Sequence, residues 1–167
     1  MRINLSESEQ FILRVAGIFR RGNEVLFHRA ETDAIWALPG GAVDFGETSR
    51  DALVREALEE LGATIEVKAL AFTVENFFNW ENRRTHEVGF YYLAKFTGLS
   101  EKLYKVDEFE GIEDKMANVP KTRLFFKWIA LDQLSEYPIK PDFLKVKMAK
   151  VDSGCEHVVY REPGATV

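Results

Sequence analysis

The segment from Thr48 to Leu61 constrains this chain most, because it reads as a helix whose two faces disagree in character. Thr48 or Ser49 can cap its start, and Gly62 stands where a helix stop is expected. At 100° per residue, Leu53, Val54, Ala57, Leu58 and Leu61 fall within one arc of about 140°. Glu56, Glu59 and Glu60 fall within another arc of about 100° on the opposite side. At spacings of three and four residues their carboxylates are neighbours, each pair costing a few tenths of a kcal/mol. They also occupy the last turn, where the helix dipole disfavours negative charge. Folding does not ask for such a cluster. A solvated acidic face is the plainer reading of three such glutamates; a hard divalent cation, Mg²⁺ or Mn²⁺, would account for the cluster, since such ions take carboxylate oxygens and recruit phosphates to their remaining positions.

Charge supports that local reading. The 167 residues carry 22 Lys+Arg against 27 Asp+Glu, a net charge of −5. From Asp44 to Glu60 six acids face two bases, a local −4, so the other 150 residues contribute only −1. No basic surface is on offer for nucleic acid, which needs cations to displace phosphate counterions. No specific nucleic-acid partner is expected. Cys155, the single cysteine, cannot form an intramolecular disulfide, which points to a reducing, cytoplasmic setting. No apolar run approaches the roughly 20 residues that span a bilayer, so no membrane partner is expected.

Hydrophobic residues make up 46% of the chain, and no repeat or linker divides it, so residues 1–167 read as one domain. Phe11 to Phe19 and Glu24 to His28 read as strands about a turn at Arg21-Gly-Asn. Ala34 to Phe45, broken by Pro39-Gly40-Gly41, reads as loop. Thr64 to Phe78 and Thr85 to Phe96 read as long strands joined by the polar turn Asn79 to Arg84. Leu99 to Arg123 reads as loop, Phe125 to Leu131 as a last strand, and Pro141 to Val151 as a C-terminal helix. The tail beyond Asp152 carries no signal. The expected class is α+β with a mixed, partly antiparallel sheet.

From Gly41, five residues lead to Glu47, seven more to Arg55-Glu56, and then Ala57-Leu58-Glu59-Glu60-Leu61-Gly62-Ala63. This run, Gly41 to Ala63, resembles the signature of the Nudix (MutT-type) hydrolases, with all fixed positions filled. Seven fixed identities at about 7% usage each arise by chance on the order of once in a hundred million starts. The resemblance implies an α/β/α sandwich built around a catalytic helix at about 48–61. It implies a pyrophosphohydrolase that cleaves a nucleoside diphosphate linked to another moiety X, using metal-activated water. Candidate substrates are a nucleoside triphosphate, ADP-ribose, a dinucleoside polyphosphate or a nucleotide sugar. It further implies that Glu56, Glu59, Glu60 and the Gly40 carbonyl hold the ion, and it is compatible with a homodimer.

Arg55 lies four residues from Glu59 and within reach of Glu47, and is expected to aim these carboxylates. Candidates for a general base outside the helix are Glu87, Glu108, Glu110 and Glu113. Phe77, Phe78 and Trp80 near a hairpin end are candidates for stacking a base, against the plainer reading that they pack a sheet edge. Trp36 reads as core, His86 as a strand histidine, and Cys155 has no catalytic partner in the sequence. A non-catalytic nucleotide sensor on the same fold is the main alternative. An isoprenyl diphosphate isomerase is a third, for which Cys155 is poorly placed.

Overall fold

A computed structural model describes residues 1–80, 82–113, 122–151 and 154–165. The chain opens with a short strand β1 (Arg2–Asn4), then β2 (Glu9–Arg21) and β3 (Glu24–Ala30). The hairpin between β2 and β3 turns at Gly22, whose φ of +58° suits a residue without Cβ. Helix α1 (Ser49–Leu61) follows, then β4 (Ile65–Trp80), β5 (Arg83–Phe96), β6 (Glu108–Glu113) and β7 (Thr122–Ala130). A four-residue helix α2 (Leu144–Lys147) and a strand β8 (Glu156–Arg161) complete the described chain. The strands order as β6-β7-β3-β2-β5-β4-β8, with β1 on β2. β2 runs parallel to β5 from Glu9↔Arg84 to Phe19↔Ala94, while β4 and β5 pair antiparallel, so the sheet is mixed.

Because side chains alternate along strands, the sheet supports a core on each face. On one face Val15, Phe19, Leu26, Phe96 and Phe126 pack against Leu53 and Ala57 of α1. On the other, Ile18, Phe27, Phe72 and Val74 pack against Ile139, Leu144 and Met148. Each such side chain contributes about 1.5–3 kcal/mol when fully buried. The layers are those of the expected sandwich.

Four expectations need correction, three of them about elements and one about the packing of α1. Leu99 to Arg123 is not simply loop: a 3₁₀ helix covers Gly98–Lys105, and β6 adds an edge strand to β7. Its acidic residues masked the alternation, for Glu108 and Glu110 point outward to Lys127 and Arg123 while Phe109 stacks on Phe126. The helix expected from Pro141 to Val151 shrinks to α2 and one 3₁₀ turn, Met148–Lys150. The tail beyond Asp152 is structural, since β8 pairs parallel with β4 from Phe72↔Glu156 to Phe77↔Arg161.

The helix itself is rolled about one residue, ~100°, from the expected packing. Ala52, Leu53, Ala57 and Glu60 are buried, whereas Val54 and Leu58 are 43% and 62% exposed. Small residues at 52 and 57 let α1 lie close to the sheet. The roll carries two of its three glutamates inward.

Candidate active site

The site begins at the ends of α1. The Thr48 hydroxyl accepts from the Asp51 N–H at 3.2 Å and donates to the Asp51 carboxylate at 2.7 Å. Gly62, at φ +59°, turns its N–H back to the Leu58 carbonyl at 2.9 Å, closing the helix one residue after the acidic turn.

The glycine loop is laced onto β2, the Val15 N–H donating to Gly41 and the Gly17 N–H to Pro39 at 2.9 and 2.8 Å. Two adjacent glycines permit this for different reasons. Gly40 holds φ +138°, and a Cβ there would stand 2.3 Å from the Val15 carbonyl oxygen. A Cβ on Gly41 would stand 2.2 Å from a carboxylate oxygen of Glu56. One glycine thus lets backbone pass backbone, and the other leaves a cradle filled by the Glu56 carboxylate.

Arg55 gathers the acids. Its guanidinium donates to both oxygens of Glu47 at 3.0 Å, to Glu56 at 3.0 Å, to Glu59 at 2.9 Å and to the Ala42 carbonyl at 3.1 Å. Asp44 lies 3.8 Å away. Four carboxylates around one guanidinium leave a strong local negative excess. The hydrogen bonds from Arg55 hold Glu47 below the usual carboxylate range. Burial pushes Glu56 up, with Arg55 opposing, so removing Glu56 from water costs its charged form. Glu60, 5% exposed, has His28 of β3 beside it, whose Nδ1 lies 3.9 Å from its carboxylate.

These oxygens suit a hard divalent ion. The cradle at Gly41 seats Glu56 beside the loop, Glu59 shares its guanidinium, and Gly40 offers a carbonyl that accepts from Arg14 at 3.3 Å. Among the described residues, no three acidic, histidine or cysteine side chains already close on one point. The fit lies in the donor chemistry and in the uncompensated charge.

On the opposite face of the sheet from α1, a cavity of about 330 Å³ is lined by Arg14, Asn76, Phe78, Trp80, Glu87 and Lys140, among others. Arg14 joins cavity and loop, since the same guanidinium that lines the cavity donates to the Leu38 and Gly40 carbonyls.

The candidates of the sequence separate clearly. Phe78 and Trp80 reach the cavity, but Phe77, one residue out of phase, stacks on His86 at 4.4 Å beneath Arg161. Glu87 is buried in the cavity wall. Glu108 and Glu110 are exposed and ion-paired on the face of β6 that turns away from α1, and the Glu113 side chain lies outside the described residues. Arg14 and Asn76 belong to no motif of the sequence. Their signal is a lone cation in the apolar run FILRVAGIF and an amide in phase with Phe78 and Trp80.

A mixed-sheet sandwich with this glycine loop and acidic helix matches the NUDIX domain over residues 11–147, and the chain belongs to the NUDIX hydrolase family. RNA pyrophosphohydrolase of Wolbachia pipientis wMel is 28% identical over 118 residues, covering 59% of this chain and 72% of that protein. MutT4 of Mycobacterium tuberculosis is 34% identical over 64 residues, covering 38% of this chain, which spans only 26% of that relative's length. Among solved structures, a MutT protein from Bacillus halodurans superposes with a TM-score of 0.63 at 17% identity, covering 90% of this chain and 89% of that one. Among the described residues no helix is long and apolar enough to cross a membrane.

Proposed function

We propose that this chain is a Mg²⁺- or Mn²⁺-dependent pyrophosphohydrolase acting on a nucleoside diphosphate linked to a further moiety. The observation that carries this reading is the gathering of Glu47, Glu56 and Glu59 on Arg55, next to the Gly40 carbonyl and one arginine away from a cavity. Glu56, Glu59 and Glu60, with the Gly40 carbonyl, are the residues to hold the ion. A divalent cation bound there supplies charge neutralisation for diphosphate oxygens and lowers the pKa of attacking water.

The rest is the work of the chain's own residues. Arg55, tied to Glu47, holds Glu56 and Glu59 in place, and a shift of about 1 Å in such groups can cost 10²-fold in rate. Arg14 offers a cation between the cavity and the loop, where a diphosphate would run. Glu108 and Glu110 are engaged elsewhere, which favours a helix glutamate as acceptor of the water proton. The name of the Wolbachia relative, RNA pyrophosphohydrolase, describes the same class of bond cleavage.

The test is a screen of the purified chain with Mg²⁺ or Mn²⁺ against nucleoside triphosphates, ADP-ribose, dinucleoside polyphosphates and nucleotide sugars. Release of phosphate, diphosphate or nucleoside monophosphate from at least one class is expected. Nucleotide binding without release from any of them would favour the non-catalytic sensor instead.

A further inference from the structure

Glu87 sits mid-strand in β5, with Ile12 of β2 on one side and Asn76 of β4 directly opposite on the other. It is 5% exposed and Asn76 is 6% exposed. Among the described residues, its one hydrogen bond comes from the Asn76 amide at 3.4 Å. Of the cations that line the cavity, Arg2, Arg14 and Lys140, Arg14 is engaged with the Leu38 and Gly40 carbonyls and Lys140 with Asp142, while Arg2 lies over the Trp80 ring. The Asn76 Oδ1 is buried without a hydrogen-bond partner. Leaving such an acceptor unmade costs about 1–3 kcal/mol, and a buried carboxyl costs more. An apolar pair at these two positions would serve the sheet better.

Both side chains line the cavity, and Phe78, two residues from Asn76 and on the same strand face, lines it too. Acceptor oxygens at the wall and an aromatic ring beside them are the parts needed to recognise a flat heterocycle by edge and face. We infer that Asn76 and Glu87 select a nucleobase whose edge presents adjacent N–H donors, the edge of guanine. Guanine offers N1–H and the two hydrogens of its N2 amine; the Glu87 carboxylate can take one from each nitrogen, and Asn76 Oδ1 the third. Adenine and cytosine pair one amine with a ring acceptor, and uracil has a single N–H between two carbonyls. Hypoxanthine keeps N1–H but lacks the amine. The two assigned side chains determine specificity and take no part in bond cleavage.

This inference rests on the nucleotide-cleaving reading but is tested apart from it. Calorimetric titration of the full chain in EDTA, with GMP, IMP, AMP, CMP and UMP, reads base preference without metal or turnover. GMP is expected to bind at least tenfold tighter than IMP and the other three. Glu87→Gln, nearly isosteric and relieved of a buried carboxylate, should keep its melting temperature and lose at least tenfold in GMP affinity, with AMP little changed. Equal affinity for GMP and IMP, an unaltered GMP affinity in Glu87→Gln, or no binding of any of the five overturns it. Guanine preference in a chain that hydrolyses nothing supports it while overturning the catalytic proposal alone.

Discussion

Replacing Gly41 with Ala separates the two uses of the glycine loop. The added Cβ would meet the Glu56 carboxylate at 2.2, 2.4 and 2.6 Å, where ordinary contact begins at 3.4 Å. The carboxylate must therefore retreat by about 1 Å, a misplacement that can cost on the order of 10²-fold in rate. In barrier terms that is about 2.7 kcal/mol. Folding should suffer little, because Glu56 ends a flexible side chain and Gly41 does not require a positive φ. Loss of glycine also removes about 0.4–1 kcal/mol of unfolded-state entropy, offsetting part of the cost. Gly40→Ala is the internal control. Its Cβ would meet backbone, the Val15 carbonyl oxygen at 2.3 Å and the Ala16 Cα at 2.9 Å, at a φ of +138°. Neither can yield without moving β2, so about 1–3 kcal/mol or more of stability is lost. The assay is kcat/KM for the substrate found by the screen, alongside thermal melting of both variants. Gly41→Ala should lose about 10²-fold in kcat/KM with a melting temperature within a few degrees of the parent. Full activity in Gly41→Ala, or a melting temperature lowered as much as in Gly40→Ala, refutes the reasoning.

Three further outcomes are expected. Arg55→Lys cannot reproduce a fork that serves Glu47, Glu56, Glu59 and Ala42 together, so metal affinity or kcat should fall about 10–100-fold; a metal titration and a kcat both unchanged contradict this. Thr48→Ala removes the cap of α1 and should cost about 1 kcal/mol, lowering the melting temperature by about 2–4 °C; no change on melting speaks against the cap. Hydrogen bonding to Lys140 holds Asp142 down at about 2 from an ordinary 3.8, so its contribution is complete above 3.8 and lost as pH falls toward 2. The pair is partly exposed, so the effect is under about 1 kcal/mol. The melting difference between the parent and Asp142→Asn should close across that window, and a difference persisting at the acid end contradicts the assignment.

The sequence carried the fold where local signals agreed. The caps at Thr48 and Gly62 bounded α1, and the β-branched and aromatic runs located β2 to β5. Where tertiary context decides, the sequence misled. Val54 and Leu58 look like core by periodicity, yet α1 packs through Ala52 and Ala57 and turns Glu56 and Glu60 inward. The strength of β8 comes from its partner β4, and an edge of acids hid β6. For the site, the spacing of 47, 55, 56 and 59 anticipated one connected cluster, because these residues share a helix and its entry loop. Arg14, Asn76 and Glu87 come from three different strands, and it takes the parallel register of β2 with β5 together with the antiparallel register of β4 with β5 to bring them to one wall.

The most direct test of the account compares the parent chain with Glu56→Gln and Glu60→Gln on the best substrate of the screen, with Mg²⁺ and then with excess EDTA. Phosphate, diphosphate or nucleoside monophosphate should be released only by the parent and only with the metal, while both variants melt as folded proteins. Turnover that persists in EDTA, or in either variant at the parental rate, would contradict the assignment of these glutamates to a metal-dependent hydrolytic centre.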